Sequence, residues 1–594
     1  MKHRHPVDEH NLWLPLLAAL LLVLIPGLCF DYYYQLNDEV VIKDILSGAY
    51  GGRLDGHTNQ LLFPLGVLLA AGYRLLPQIP VFAWFLLLCF GGCFWLIGHR
   101  SLRYFNRLQE KLAVLLLELG LFLSMFLWEL VYVQYSVVCG TMVATACFWF
   151  YTTGEEEGAG RFWLFNLPAL LLIWTAFCLR SEMTLLLTPF VAAVGLWHWA
   201  GSNTGESFKR SLSRYVLFVL VAAIGCGLLY AGDLLAHSQE DWKSYRQFFD
   251  ARTTVYDYTW YPVYDRAQDY YEAIGISREQ YELVDSYNFA LDPSIDAEKL
   301  EAIADYGERA RHQGSWPTRI RAGIWEMGYR TLAGQDAPYN YFVLAAYAAV
   351  IGVAVLCRDK SYLWKLLLLG MARVIPWMYL ILAGRVVERI AHPLYLIEFL
   401  CLMGLLGEPL RDRPLWNPQR LYRRVVFVLL FLLMVITGIG RFQAVKAEQL
   451  RREGVNQTMD AFREYAYANP ENYYFLDVYS TVAYSERLFD ENTNRHKNYD
   501  ILGGWVCYSP LQKEILARYT KQGQQEEGSI SEALLQENVY FVIRDNRPVE
   551  SVTGYYESMG TPVELTRIHE LGTAGDGLVI YRLEASETKD STQE

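Results

Sequence analysis

The chain has 594 residues, of which 53% are hydrophobic, 15% aromatic and only 20% charged, with a mean hydropathy of +0.11. A soluble globular chain carries about 25% charged residues, so this composition excludes a string of ordinary soluble domains and points to a polytopic membrane protein with substantial polar parts. The balance of 52 Lys+Arg against 64 Asp+Glu, net −12, gives no reason to expect a nucleic-acid partner.

The 42 tyrosines and 17 tryptophans suit membrane interfaces, where a ring has one apolar and one wet side. Nine of the ten cysteines lie in apolar runs, and only Cys507 lies in a polar region. No CxxC pair and no His-rich segment accompanies them, so neither a disulfide framework nor a zinc site is expected.

The first apolar run, Leu12 to Phe30, follows a short basic start (Lys2, Arg4). No cleavage site follows it and further apolar runs do, so it reads as a transmembrane helix rather than a signal peptide. Other segments of spanning length lie near 80–98, 111–129, 131–151, 162–179, 183–200, 214–235, 339–357, 362–384, 389–407 and 424–440. Together they make about 11 transmembrane helices.

The segment 59–77 is apolar but holds Pro64, Gly66 and Arg74. Charge decides its place. Lys and Arg concentrate in short cytoplasmic loops, and the basic short loops are 99–111, 201–214, 358–365 and 408–424. All four fall on the side of the basic N-terminus only if 59–77 does not cross. The exception is loop 152–161, whose Glu155, Glu156 and Glu157 fall on the same side, but acids count little in this rule.

The expected localisation is therefore the plasma membrane, multi-pass, with the N-terminus cytoplasmic. Three polar regions face the other side: 31–79, ending in a juxtamembrane helix; a loop at 236–337 with 18 acids against 11 bases; and everything after about 441. Loop 236–337 reads as mostly helical, with a capping box at Ser277 and Gln280. Its aromatic stretch VYDYTWYPVYDRAQDYYE fits either interfacial packing or a carbohydrate-contacting surface. The tail alternates strands (NYYFLDVYS, NVYFVIRD, VELTRIHEL, GLVIYRL) with amphipathic helices. That predicts a small α/β domain over 441–585, with a disordered tail at 586–594. The transmembrane domain is 1–440.

The candidate chemistry starts just after the first span. DYYYQLNDEVVIKDILSGAY places Asp38 and Glu39 side by side near hydrocarbon, where adjacent carboxylates raise each other's pKa. Such a pair can supply a general base or hold a cation. The bland alternative is a solvated helix with a Glu39–Lys43 ion pair at i,i+4.

Asp55 and His57 follow in RLDGHTNQ and are either structural or part of the same centre. Arg180, next to Glu182, and Arg385 with Arg389 lie at the outer ends of spans. They either snorkel or converge to hold a lipid-linked phosphate through charge-assisted contacts. Glu129, Gln134 and Tyr135, at an outer turn, are candidates to line the same cavity. Arg373 and Glu398 lie on the order of 18–20 Å below the Arg385 hairpin and are expected to form a structural ion pair.

This layout resembles the GT-C superfamily of integral-membrane glycosyltransferases, which includes the protein O-mannosyltransferases and the aminoarabinose transferases. The resemblance rests on NDE at 37–39, HTNQLLFPLGVLLAAGYRLLP, CLRSE at 178–182 and GRVVER at 384–389. It covers about residues 10–440. It implies a sugar donor on a polyprenyl phosphate, an extracytoplasmic glycan, protein or lipid acceptor, and inverting single displacement. It implies Asp38 as general base, Glu39 orienting the acceptor or Asp38, and Arg180, Arg385 and Arg389 holding the lipid phosphate. No cofactor is implied. Some members bind a metal between two acids separated by one residue; here the acids are adjacent, so a divalent cation at Asp38 and Glu39 is not favoured. The competing expectations are a lipid-linked sugar flippase and a non-catalytic glycan-binding scaffold of the envelope.

Overall fold

Ten helices in the computed structural model are long and apolar enough to cross a membrane, which makes the chain a multi-pass helical membrane protein. The structure describes residues 10–153, 158–201, 208–311, 315–410, 421–490, 495–520, 529–572 and 577–586. The basic start, Glu155 to Glu157, most of loop 408–424 and the tail from 587 lie outside the described residues.

The spanning helices are α1 (His10–Cys29), α4 (Val81–Ser101), α5 (Leu108–Val131), α6 (Tyr135–Thr152), α7 (Gly158–Leu179), α10 (Phe208–Ala236), α16 (Tyr339–Cys357), α17 (Ser361–Leu382), α18 (Glu388–Leu410) and α19 (Leu421–Ala468). α6 and α18 are enclosed on nearly all sides, whereas α10 and the first part of α19 turn most of their apolar surface outward. The central pair approaches closely because Gly140 has no side chain: a Cβ there would come within 2.3 Å of Pro393.

The expected eleventh span at 183–200 is divided at Leu187 into α8 (Ser181–Leu186) and α9 (Thr188–Gly201). Pro189 has no N–H for the Leu185 carbonyl, and the Thr188 hydroxyl donates to that carbonyl instead. Neither piece alone is long enough to cross, but α7 and α10 both end at the level of Leu62 and Phe63, so α8 and α9 together make the crossing between them.

Segment 59–77 forms α3 (Phe63–Leu75), 13 residues long. At 1.5 Å per residue that is roughly 20 Å, short of the ~30 Å hydrocarbon core. The start of α3 is held level with the ends of two spans. The Phe63 N–H donates to Asp233 Oδ1 of α10 at 2.9 Å, and the Leu62 N–H to the Cys178 carbonyl of α7 at 2.9 Å. All ten cysteines are free thiols.

The polar regions fold into one body at one end of the bundle. The first contributes α2 (Asn37–Ser47). The second contributes α11 (Glu240–Thr253), α12 (Gln268–Ala273), α13 (Arg278–Asp285) and α14 (Ala297–Arg311), and then α15 (Trp316–Leu332), which packs on α17. The capping box at Ser277 and Gln280 is present. The third begins as the continuation of α19 and ends in a five-stranded sheet of order β4-β3-β5-β7-β6. After two short strands, β1 (Tyr33–Tyr34) and β2 (Tyr132–Val133), these are β3 (Tyr473–Asp477), β4 (Tyr499–Leu502), β5 (Val539–Arg544), β6 (Val563–Leu571) and β7 (Leu578–Ala585). β3 lies parallel to β4 and β5, and the last three strands are antiparallel. Four of the strands and the helices between them are those read from the sequence; β4, only four residues long, is additional. One apolar core joins all three regions, with Ile45 and Tyr50, Trp242 and Phe248, and Phe475 and Phe541 in contact through it.

Buried charges fix α2 to this body. Lys43 is fully buried and reaches Glu486 Oε2 at 2.5 Å and Asp44 Oδ1 at 2.6 Å. Lys497 pairs with Asp44 and lies 3.3 Å from Glu486 Oε1, and Arg463 of α19 lies 3.7 Å from the same oxygen. Burial pushes the Glu486 carboxyl up, but Lys43, Lys497 and Arg463 overcome this and hold it well below the usual carboxylate range.

Removing one partner of a buried pair costs about 3–5 kcal/mol, because a charge is left uncompensated. Lys43→Met is therefore expected to lower stability by about that much in thermal unfolding of the detergent-solubilised protein. Arg487→Ala, whose pair with Asp31 is half exposed, is expected to change it by less than about 1 kcal/mol. The Glu486 contribution is present above the ordinary carboxylate pKa and is lost as pH falls below it. Equal effects of the two variants would show that the buried cluster does not hold the body together.

Candidate active site

α2 begins at Asn37 because Leu36 is extended and the next two residues are acids, which suit the positive end of a helix. Glu39 closes the first turn: Leu36 N–H donates to its Oε2 at 3.1 Å. Its other oxygen accepts from the Tyr135 N–H at 3.3 Å, at the start of α6. Glu39 thus ties α2 to the central helix of the bundle and has both oxygens engaged. Lys43 goes to Glu486 and Asp44 rather than to Glu39, so the expected solvated i,i+4 pair is replaced by buried contacts 443 residues apart.

Asp38 is 7% exposed and Glu39 is fully buried. Burial raises the Asp38 carboxyl, and Arg389, Arg180 and a hydrogen bond from Trp505 counter it, while Asp257 adds to the rise. Burial first, and the neighbouring Asp38 second, push Glu39 up to about 8. Both carboxyls are thus held above their ordinary values, and only Asp38 has arginines close enough to favour its charged form. Two carboxyls with separated roles are how one site keeps both a base and a neutral partner.

The arginines come from three elements. Arg180 is the extended residue between α7 and α8. It donates to the Tyr135 hydroxyl at 3.1 Å and to the Ser136 hydroxyl, and its guanidinium lies 5.2 Å from the Tyr135 ring centre. Arg389 is in the first turn of α18, and Arg385 is just before it. Arg385 pairs with Asp257 Oδ2 at 2.9 Å and lies 4.1 Å from the Tyr258 ring centre. Arg385 Nη1 and Arg389 Nε are buried donors with no hydrogen-bond partner among the described residues. Such donors are costly unless something accepts from them. A cavity of about 370 Å³ lies alongside, lined by Gln35, Leu36, Arg330, Gln335, Asp336 and Arg389 among others.

The other candidates divide. Tyr135 joins the centre through Glu39 and Arg180. Glu182 is exposed beside Arg180 and interacts with it electrostatically. Gln134 is a helix cap: its side-chain oxygen accepts from the Ser136 and Val137 N–H groups at 2.6 and 3.1 Å. Glu129 is paired with His392 Nδ1 at 2.6 Å. His57 hydrogen-bonds Asp55 at 2.6 Å and stacks on Trp242 at 4.4 Å, beside Phe63 and His237. That niche is built by different neighbours from those of Asp38. The Arg373–Glu398 ion pair is formed, and the Tyr347 hydroxyl also donates to Glu398, at 2.7 Å.

Among the described residues no three His, Cys, Asp or Glu side chains gather as metal ligands. Sequence reading did not find Asp257, a distant charge that adds to the rise of the Asp38 carboxyl. No family model, curated protein or solved structure matches the chain.

The folded-state pKa of Glu39 lies above its unfolded value near 4.5, so the wild type loses stability as pH rises from about 4.5 to about 8. Glu39→Gln mimics the protonated acid, keeps one oxygen for either the Leu36 or the Tyr135 amide, and removes this dependence. Thermal melts at acidic, neutral and alkaline pH are expected to show the variant gaining on the wild type as pH rises. Parallel curves would mean that Glu39 is ionised in the folded protein.

Proposed function

We propose that the chain is a GT-C-type glycosyltransferase that moves a sugar from a polyprenyl-phosphate donor to an extracytoplasmic acceptor by inverting single displacement. The observation that carries this reading is a buried carboxylate, Asp38, set against arginines whose remaining buried donors have no protein acceptor. An oxyanion is the ligand chemistry such donors accept. A base and an anion site in one centre are what glycosyl transfer from a phosphate requires.

The chemistry is one displacement. The acceptor oxygen attacks the anomeric carbon as the bond from that carbon to the phosphate oxygen breaks. The acceptor proton passes to Asp38, and the electron pair of the broken bond leaves on the phosphate. Arg180, Arg385 and Arg389 stabilise that developing charge, which fixed cations do without reorganisation. Glu39 positions Asp38 by capping α2, rather than touching the acceptor.

The lipid part of the donor has a place to lie. A groove of about 1370 Å³ runs along α15 and the end of α17, lined by Ile324, Trp325, Tyr329, Leu332, Ile381 and Leu382 among others. Arg330, two residues before Leu332 on α15, lines the polar cavity together with Leu36 and Arg389. The apolar groove and the polar cavity thus meet at one helix. The reading further takes the membrane as the plasma membrane, with the polar body outside and the N-terminus in the cytoplasm.

A transfer assay tests it, with purified protein, a panel of radiolabelled polyprenyl-phosphate sugars and membrane extract as acceptor. Asp38→Asn is expected to lower transfer by about 10²–10⁴-fold with folding intact, the range for loss of a general base. Arg389→Ala is expected to raise KM for the donor as well as lower kcat. Full activity in Asp38→Asn would remove Asp38 from the chemistry. No transfer from folded wild-type protein with any donor would overturn the proposal.

A further inference from the structure

The segment that leads into α2 is clamped from both sides. The Gln35 N–H donates to the Val133 carbonyl of β2 at 2.9 Å, and the Tyr34 N–H to the Glu486 carbonyl at 3.0 Å. Arg452 of α19 donates to the Tyr34 carbonyl at 3.0 Å and to the Gln35 carbonyl at 3.1 Å. The main chain of Gln35 is therefore paired at both its N–H and its carbonyl. Its side chain is not: Oε1 is buried and accepts from no described residue. Such an atom is costly unless something donates to it. The last torsion of a glutamine is soft, so the amide can turn either its oxygen or its NH2 to a ligand beside it.

Beside it is the cavity of about 370 Å³, and the charges of its lining balance. Arg330 and Arg389 are matched by Asp336 and Glu388, and Gln35 and Gln335 add two amides. Arg330 and Asp336 are committed to each other at 3.3 Å, Arg330 also to Glu326 at 2.8 Å, and Asp336 to the Tyr395 hydroxyl at 3.0 Å. The Gln35 oxygen, an acceptor, and Arg389 Nε, a donor, are left without partners. A phosphate has only acceptors to offer an arginine and cannot satisfy the Gln35 oxygen. A hydroxyl both donates and accepts, so a ligand bearing hydroxyls next to its phosphate satisfies both. Two cations against two acids favour neither an ammonium nor a carboxylate on that ligand. The volume lies at the low end for ligand pockets, about 300–1,000 Å³, which suits one ring rather than an oligosaccharide.

We propose that this cavity holds the sugar of the donor, that the sugar is an uncharged monosaccharide, and that Gln35 hydrogen-bonds one of its hydroxyls. The proposal rests on the transfer reaction given above, in which Arg389 holds the phosphate joined to that sugar. Arg389 lines the same cavity as Gln35, so sugar and phosphate lie side by side, as one donor requires. Gln35 stands three residues before Asp38. The clamped segment thus carries both the residue that reads the sugar and the base.

The test uses the full-length protein in detergent, wild type beside Gln35→Met and Gln35→Asn. Methionine keeps the length of the side chain and lacks the amide; asparagine keeps the amide and shortens its reach, and carries the comparison if Gln35→Met does not fold. The probes are farnesyl phosphate alone and farnesyl phosphate carrying glucose, galactose, mannose, N-acetylglucosamine, glucosamine or glucuronic acid, with the deoxy analogues of the tightest binder. Equilibrium binding is measured first, and kcat/KM for transfer second. In the wild type one neutral sugar is expected to bind about tenfold or more tightly than farnesyl phosphate, and the charged sugars less tightly than the neutral one. Each variant is expected to lose about 10–100-fold in affinity for that sugar, to bind farnesyl phosphate within about twofold of wild type, and to stop distinguishing one deoxy analogue from its parent. Wild-type affinity for every sugar in a folded variant would overturn the proposal, as would charged sugars that bind the wild type as tightly as the neutral ones. Binding does not depend on turnover. If the wild type transfers no sugar, the functional reading fails, and the binding series still decides whether Gln35 reads a sugar in this cavity.

Discussion

Everything polar in this molecule is organised around the charges buried between α2 and the C-terminal domain. Lys43, Asp44, Glu486, Lys497 and Arg463 are all at most 8% exposed at their side chains. Taking any one of them out of water alone would cost several kcal/mol, so none of these positions is tolerable unless its neighbours are in place. The cluster draws on α2 and, hundreds of residues later in sequence, on α19 and the segment between β3 and β4. It therefore acts as a register pin, a use of buried ionic groups that matters more than any net stability they add. Lys43 is five residues after Asp38, about 140° around a helix of 3.6 residues per turn. Pinning Lys43 toward the C-terminal domain turns the first turn of α2 toward the bundle, where Glu39 meets the amide of Tyr135.

That rotation sets the electrostatics of the candidate centre. Asp38 and Glu39 share one turn and one low-dielectric environment, yet their partners differ. Glu39 is raised by burial and by its acidic neighbour, against the backbone amides that favour its charge. Asp38 lies in the field of Arg389 and Arg180, whose charges work against the burial that raises it. Asp257 pulls in the opposite direction, and its own pairing with Arg385 limits how far Arg385 can serve Asp38. The outcome is two carboxyls with unlike surroundings, one of them beside cations with donors to spare, rather than a pair of equivalent carboxylates.

Much of this was legible in the sequence where the signal is local. Spans follow from hydropathy, the Ser277 capping box from its spacing, and four of the five C-terminal strands from alternation and turn residues. The Arg373–Glu398 pair was legible because two charges at similar depth in hydrocarbon have few other partners. What was not legible is of two kinds. The division of 183–200 at Leu187 depends on one proline near the middle of an apolar run, where hydropathy is blind to a missing N–H. The partners of Lys43, Arg385 and Asp38 lie between 128 and several hundred residues away. No periodicity carries such distances; they are decided by which faces of the three polar regions pack together. Local reading of Gln134, His57 and Glu129 placed them near a cavity, and tertiary structure gave them a cap, an aromatic niche and a histidine partner instead.

The same reasoning bears on how the three polar regions depend on one another. Had α2 been held only by its apolar face, residues such as Ile42 and Leu46 would fix its depth against the bundle but tolerate small rotations, since apolar contact is non-directional. A carboxylate that must receive a proton from a bound hydroxyl tolerates little, because displacement of about 1 Å is enough to lose much of the rate. Directional contacts at both ends of α2 remove that freedom. Glu39 fixes the first turn to α6, Lys43 and Asp44 fix the second to Glu486 and Lys497, and Gly48, in the left-handed region at φ +75°, ends the helix and turns the chain back. The short helix is therefore built as a rigid mount, and its rigidity is supplied by the membrane bundle on one side and the C-terminal domain on the other.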